Sequence, residues 1–341
     1  MGYSLYWKLS ITKDSTPIKR LNTMANMNSI DYQSRLASWQ RSIARRTEAY
    51  LEDAVSTATA DSMVLRSQPK RPFPKFHRTE VGVGRVLGQG AFSEVRLINR
   101  IKLRDNYTSY NYDEEKSRQL LQVQILESSS RRGFVIKYLR KDLANDRKKF
   151  YHAATDLLLE AKFLARFDHP NIIQIHGWAI GEEASYGLGL NEGYFMILDK
   201  VDETLSQRLD RWSDDPSFKS HPQDQFFLHG RERLRYALQV ASALDYMHDQ
   251  RVVNRDLKPD NLGLRSDTIQ LFDFGLCREL PQGGACDDDD DEFYMTRVGT
   301  RRWMSPEVFM GEPYGLKADV SCICMLRLTI ALAQPSNATR F

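Results

Sequence analysis

Residues 252–264 read VVNRDLKPDNLGL, and the reading of the chain turns on that stretch. A strand-like Val252–Val253 leads into a loop in which Asp256, Lys258 and Asn261 follow one another closely. A carboxylate can orient an attacking hydroxyl and accept its proton, an ammonium can neutralise a phosphate in transfer, and an amide oxygen suits Mg2+. A little further on, LFDFG (271–275) sets Asp273 among apolar neighbours and ahead of Gly275. A carboxylate so placed is a candidate metal ligand.

Upstream, GFVIKYL (133–139) is a compact apolar strand that carries Lys137. A buried cation is costly without a partner. Glu160, on the amphipathic segment DLLLEAKFLARF (156–167), offers the counter-charge; the alternative is a lysine whose stem is buried while its head reaches water. VGVGRVLGQGAFSEVRLI (81–98) alternates as a hairpin would around Gly88 and Gly90. Glycines there either bring backbone N–H groups close to phosphate oxygens or simply turn the chain. IIQIHGWAI (172–180) and YFMILDKV (194–201) read as two more strands. In RERLRYALQVASALDYMH (231–248), the pattern predicts a helix with Leu234, Ala237, Leu238, Ala241, Leu244 and Met247 on its buried stripe. Residues 100–130 are polar and read as an inserted loop. Strands with one helix, followed mostly by helices, predict an α+β fold of two lobes, a small β-rich one stacked on a helical one.

Taken together, LGQGAFSEV, FVIK, LLLEAKF, NRDLKPDN, DFG and GTRRWMSPE stand in the order of the protein-kinase signature. From about 81 to 320 the chain resembles the eukaryotic protein kinase family, Ser/Thr type. The resemblance implies transfer of the γ-phosphate of ATP to serine or threonine hydroxyls of protein substrates, with ATP and Mg2+ as cofactors. Gly88, Gly90 and Val95 would then cover the nucleotide, and Lys137 would hold its α/β-phosphates and pair with Glu160. Asp256 would be the catalytic base, Lys258 would steady the γ-phosphate, and Asn261 and Asp273 would bind magnesium. Leu198 would be the gatekeeper, Asp199–Val201 the hinge that offers backbone hydrogen bonds to adenine, and Val135 and Gly263 the roof and floor of the adenine site. Lys258 with Thr300 resembles the Ser/Thr-directed pattern, and Trp303 resembles the tyrosine-kinase-like branch. Arg255 before the base resembles kinases switched by phosphorylation of the activation segment, which makes Thr296 the expected target of an upstream kinase. The run Asp287–Asp291 reads as a solvated loop, a substitute for phosphate, or an acidic face for basic substrates.

The chain departs from the family in places. Asn254 stands where histidine is usual, Val135 where alanine is usual, and Gly263 where a larger apolar residue is usual. A heavier roof over a lighter floor would conserve volume. Asp319 resembles the aspartate that holds the catalytic-loop backbone, but SCICMLRLTIALAQPSNATRF (321–341) does not continue the family pattern. A truncated or mis-spliced reading frame is the expectation from that stretch, with the helical lobe incomplete after about 320. A non-catalytic module that binds nucleotide or partners is the alternative function; the presence of Lys137, Asp256 and Asp273 favours the enzyme.

The bulk numbers fit this reading. The chain has 341 residues, 41% hydrophobic and 27% charged, which suits a globular domain. A net charge of +3 predicts no nucleic-acid partner. Residues 1–80 form a basic extension ending in the proline-rich PKRPFPKF, expected to be largely disordered apart from one amphipathic helix marked by Tyr32, Leu36, Trp39, Ile43 and Tyr50, which reads as a docking or membrane-surface helix or as a tail helix resting on its own domain. Residues 81–341 form the kinase-like domain. Cys277, Cys286, Cys322 and Cys324 read as free thiols in a reducing compartment, and a cytoplasmic location is expected. No apolar run is long enough to span a membrane, since the nearest, CICMLRLTIALA (322–333), is short and carries Arg327.

Overall fold

The computed structural model describes residues 45–69, 73–104, 112–127, 133–181, 185–186, 193–214, 230–281 and 292–332. The positions Tyr32–Ile43 of the expected amphipathic helix, Cys286 and the acidic run Asp287–Asp291 lie outside the described residues. Among the described residues no helix is long and apolar enough to cross a membrane.

A six-stranded sheet is the frame of the smaller lobe, in the order β1-β5-β6-β4-β3-β2. Its strands are β1 (Lys75–Phe76), β2 (Val81–Gln89), β3 (Ser93–Ile101), β4 (Phe134–Leu139), β5 (Ile175–Ala179) and β6 (Phe195–Asp199). Every residue of β4 and β6 is buried. Their β-branched and aromatic runs suit strands covered on both faces. The sheet therefore begins upstream of the expected boundary at 80/81: Phe73 and Phe76 are core residues, and β1 pairs in parallel with β5. Glycine is required at 177 by this added strand, because a Cβ there would lie 2.7 Å from the carbonyl oxygen of Pro74.

Between 45 and 67 the chain is helical and packed on the domain. Helix α1 runs through residues 45–59 and α2 spans Met63–Arg66. Leu51, Val55 and Leu65 enter the main core. The carboxylate of Glu279 receives the backbone N–H groups of Met63 (3.0 Å) and Val64 (2.8 Å) and the hydroxyl of Ser62. A distant acid thus satisfies N–H groups that a short helix leaves without partners.

The polar stretch 100–130 is not simply a loop. It contains α3 (Tyr112–Glu127), whose Leu121 and Ile125 are buried. Its low hydrophobicity hid the helix; one ion pair fixes it. Arg118 and Glu80 are both fully buried, 2.7 Å apart, with the guanidinium 5.3 Å from the centre of the Phe76 ring. Glu80 also accepts the backbone N–H groups of His77 (2.8 Å) and Arg104 (3.0 Å).

Helix α4 (Arg147–Leu164) starts at Asp146, whose side chain accepts the Lys149 N–H. It buries Ala153, Ala154, Leu157, Leu158, Ala161 and Leu164, a stripe at helical spacing that also carries Glu160 inward. The larger lobe holds α5 (Leu205–Asp214), α6 (Gly230–His248), a three-stranded sheet of β7 (Glu203–Thr204), β9 (Leu262–Arg265) and β10 (Thr268–Leu271), and a two-stranded ladder of β8 (Val252–Val253) with β11 (Arg278–Glu279). The buried face of α6 differs from the expected stripe. Arg233, Tyr236, Val240, Ala243, Leu244 and Met247 face inward, while Leu234 and Leu238 are exposed. Tyr236 turns this face: its ring stacks on Trp212, and its hydroxyl bonds to Glu232 and Asp267. After α7 (Pro306–Met310), α8 (Lys317–Leu332) continues as helix through the stretch where the family pattern stops.

Removing one member of a buried ion pair strands the other charge, at a cost of about 3–5 kcal/mol. Glu80→Ala is expected to lower stability by that order in urea melts. A loss below about 1 kcal/mol would mean that Glu80 does not anchor Arg118.

Candidate active site

The site lies where the two lobes meet, and strand register assembles its upper half. Gly88 pairs with Val95, Val95 with Lys137, and Lys137 with Met196, along one rung of the sheet. The turn between β2 and β3 is closed by the Gly90 N–H donating to the Ser93 carbonyl at 2.8 Å. A Cβ on Gly88 would meet nothing within 4 Å, and its φ is not in the left-handed region. Neither packing nor backbone strain requires glycine there, so its bare backbone leaves room for a polar group to approach.

Lys137 Nζ lies 2.7 Å from each carboxylate oxygen of Glu160 and 3.2 Å from Asp273 Oδ1. Burial works against the ammonium, but Asp273 and Glu160 together outweigh it and hold its pKa above the ordinary lysine value. The Lys137 charge holds the Asp273 carboxyl below its usual range. One helical turn before Glu160, Asp156 faces the same region; burial and the neighbouring Asp273 and Glu160 push its pKa up to about 7. The sequence reading passed over Asp156, although its i, i+4 spacing to Glu160 on α4 was the available signal.

In the lower half, the loop after β8 is held from beneath. Asp319, fully buried on α8, accepts the backbone N–H groups of Asn254 (2.7 Å) and Arg255 (3.0 Å), and His248 Nε2 lies 3.0 Å away. Arg255 adopts φ 71° and Asp273 φ 70°, left-handed conformations that cost energy in residues with a Cβ and are sustained by the surrounding bonds. Asp256 lies at the centre of a cluster. It accepts Lys258 Nζ at 2.6 Å, Thr300 Oγ1 at 2.7 Å, the Thr300 N–H at 2.8 Å and Asn261 Nδ2 at 3.0 Å. Lys258 also donates to Thr300 Oγ1 at 2.8 Å. Because its Nδ2 is committed to Asp256, Asn261 keeps Oδ1 as an open oxygen donor. The two halves are electrostatically linked, since Lys258 adds to the depression of the Asp273 pKa.

Asn254 is buried and paired where a ring is usual: its Oδ1 accepts the Asp256 N–H at 3.2 Å, and its Nδ2 points to Cys277 Sγ at 3.6 Å. Phe274 is fully buried, with its ring 5.5 Å from Phe167. Arg255 donates to the Leu276 carbonyl at 2.6 Å and turns one guanidinium nitrogen to within 3.5 Å of Thr296 Oγ1 and 3.4 Å of the Tyr314 hydroxyl.

At the other end of the cleft, Val135 pairs with Leu198 across β4 and β6. The Asp199 N–H is used internally, donating to the Gln174 carbonyl at 3.2 Å, whereas the backbone of Val201 makes no hydrogen bond among the described residues. Asp199 is buried, and its carboxylate takes His176 Nε2 at 2.8 Å and Arg265 at 2.7 Å. No spacing in the sequence links those three. At Gly263 a Cβ would lie 2.5 Å from Val201 Cγ1, so Val201 occupies the space into which a side chain there would grow.

Compared with known proteins, residues 121–339 match the family model described as the protein kinase domain. Among curated proteins the chain is similar to serine/threonine-protein kinase Nek11 of Macaca fascicularis, 30% identical over 49% of this chain and 23% of that protein. Nek4 of Mus musculus is 28% identical over 69% of this chain and 23% of its own length. Sgk3 of Rattus norvegicus is 30% identical over 56% of this chain and 32% of its own. The chain thus spans about a quarter to a third of these relatives.

Overpacking of this kind typically costs about 1–3 kcal/mol. Gly263→Ala is expected to destabilise the protein by that order, and adding Val201→Ala is expected to recover most of the loss. Additive effects of the two substitutions in a double-mutant cycle would refute the contact.

Proposed function

Because the chain belongs to the protein kinase domain family, we propose that it transfers the γ-phosphoryl group of ATP to serine and threonine hydroxyls of protein substrates. The observation that carries this reading is the meeting of the Lys137–Glu160–Asp273 triad with the Asp256–Lys258–Thr300–Asn261 cluster at one cleft. Phosphoryl transfer demands positioning and charge neutralisation more than covalent chemistry, and these residues supply both.

The residues present fit the nucleotide and the metal. Gly88 leaves room beside its backbone for phosphate oxygens, and Lys137, fixed by Glu160, carries the positive charge that the α/β-phosphates would meet. Val95, Val135, Leu198 and Gly263 with Val201 offer apolar surface to adenine, and the unpaired backbone of Val201 suits its edge better than the Asp199 N–H, which is already used. Asn261 Oδ1 and the Asp273 carboxylate are hard oxygen donors of the kind Mg2+ takes. Bound there, the ion supplies neutralisation of phosphate charge. Asp256 orients the acceptor hydroxyl and takes its proton, and Lys258 keeps positive charge beside it. The Lys258–Thr300 contact supports the serine/threonine preference. Likeness to the tyrosine-kinase-like branch rests on Trp303 alone. The free thiols of Cys277, Cys322 and Cys324 suit a reducing compartment, and in this reading the activity is cytoplasmic.

Regulation by an upstream kinase at Thr296 belongs to the same reading. Thr296 is exposed, and Arg255 already reaches toward its hydroxyl. A phosphate there adds about two negative charges opposite that guanidinium and orders the segment through charge-assisted hydrogen bonds.

Two measurements test these statements. Mg-ATP should raise the melting temperature, and labelled phosphate should pass to a generic protein substrate and be lost in Asp273→Asn. Thermal stabilisation without transfer would favour the nucleotide-binding module instead. Separately, phosphorylated wild type should be more active than Thr296→Ala, with greater protection of residues 292–300 from hydrogen exchange. Equal activity and equal protection would remove Thr296 from the account.

A further inference from the structure

On either side of Thr300, Arg297 and Arg301 turn toward one ring on α7. Arg297 and Arg301 are both exposed, and both place their guanidinium over the ring of Phe309 on α7, with Cζ at 4.6 Å and 5.6 Å from its centre. Arg302 lies over Trp303 at 5.4 Å. Both distances to Phe309 are within cation–π range, so the ring attracts each charge and fixes where the heads sit. Among the described residues, no carboxylate comes within ion-pair distance of Arg297 or Arg301. The two like charges on one ring therefore make a concentrated positive field with planar, forked donors, a form suited to carboxylate and phosphate oxygens.

The place of this pair matters as much as its charge. Arg301 directly follows Thr300, whose N–H and hydroxyl both donate to Asp256. Arg301 is thus one Cα step, about 3.8 Å, from a residue bonded to Asp256, and a peptide that presents its hydroxyl there passes the segment that carries the pair. We infer that Arg297 and Arg301 form a specificity lip that selects acceptor peptides carrying an acidic or phosphorylated residue close to the target serine or threonine. The inference rests on the phosphotransfer reading and names the substrate class of that same site.

The test uses the full chain with Thr296 unmodified, so that a phosphate there does not compete for the arginines. Peptides with one acceptor and with Asp, phosphoserine, Ala or Lys at each flanking position are compared by phosphate transfer from Mg-ATP and, separately, by fluorescence-anisotropy binding. Acidic and phosphorylated peptides are expected to exceed the alanine peptide by about fivefold or more at one or more flanking positions, the scale of an exposed ion pair. The ratio should shrink as salt is raised and approach one in the double variant Arg297→Gln/Arg301→Gln. Transfer without acidic preference, a preference undiminished in the double variant, or no detectable peptide binding overturns the inference. Acidic-selective binding without transfer counts against phosphotransfer and leaves the lip standing.

Discussion

The ammonium of Lys137 is carried by a fully buried strand, and everything else in the cleft depends on how that charge is balanced. A lone cation there would give up its charge or stay out of the core. Glu160 prevents both, but only while α4 lies against the sheet with its acid turned inward. The placing of one helix thus decides whether Lys137 is fixed in space, and Asp273 completes the balance from the other lobe. Glu160 and Asp273 also press on Asp156, so the same region concentrates negative charge that a divalent cation would relieve.

Two parts outside the strand-and-helix frame brace that helix and its surroundings. The segment through α1 and α2 stacks Tyr50 on Tyr151 of α4, with ring centres 4.4 Å apart, and meets the start of the activation segment through Glu279. It touches both the element that bears Glu160 and the strand that follows Asp273. On the far edge of the sheet, α3 is tied by the Arg118–Glu80 pair to the chain entering β2. Beneath the catalytic loop, Asp319 performs a similar bracing task for Asn254 and Arg255.

The sequence picked out the polar residues of the cleft better than the packing around them. Lys137, Glu160, Asp256, Lys258, Asn261 and Asp273 stood out as polar groups at the ends of or among apolar runs, and the structure gathers them into two hydrogen-bonded groups. Five of the six strands, β2 to β6, and α4 followed from apolar runs and helical spacing; β1 did not. What escaped was decided by partners far apart in the chain. The inward face of α6 depends on Tyr236 meeting Trp212 and Asp267. The helix α3 depends on a single buried arginine within a polar stretch. Packing of the segment 45–67 depends on Glu279, more than two hundred residues away. The lack of a side chain at Gly263 answers to Val201, whose side chain fills the space beside it.

Asp199 carries one more consequence. Its buried carboxylate is clasped by His176 from β5 and by Arg265 from β9, strands that belong to opposite lobes. The connection between the lobes is thereby riveted on its side chain as well as along its backbone. Shearing the lobes apart there would strand a desolvated carboxylate, so this crossing resists separation more than a bare backbone strand would.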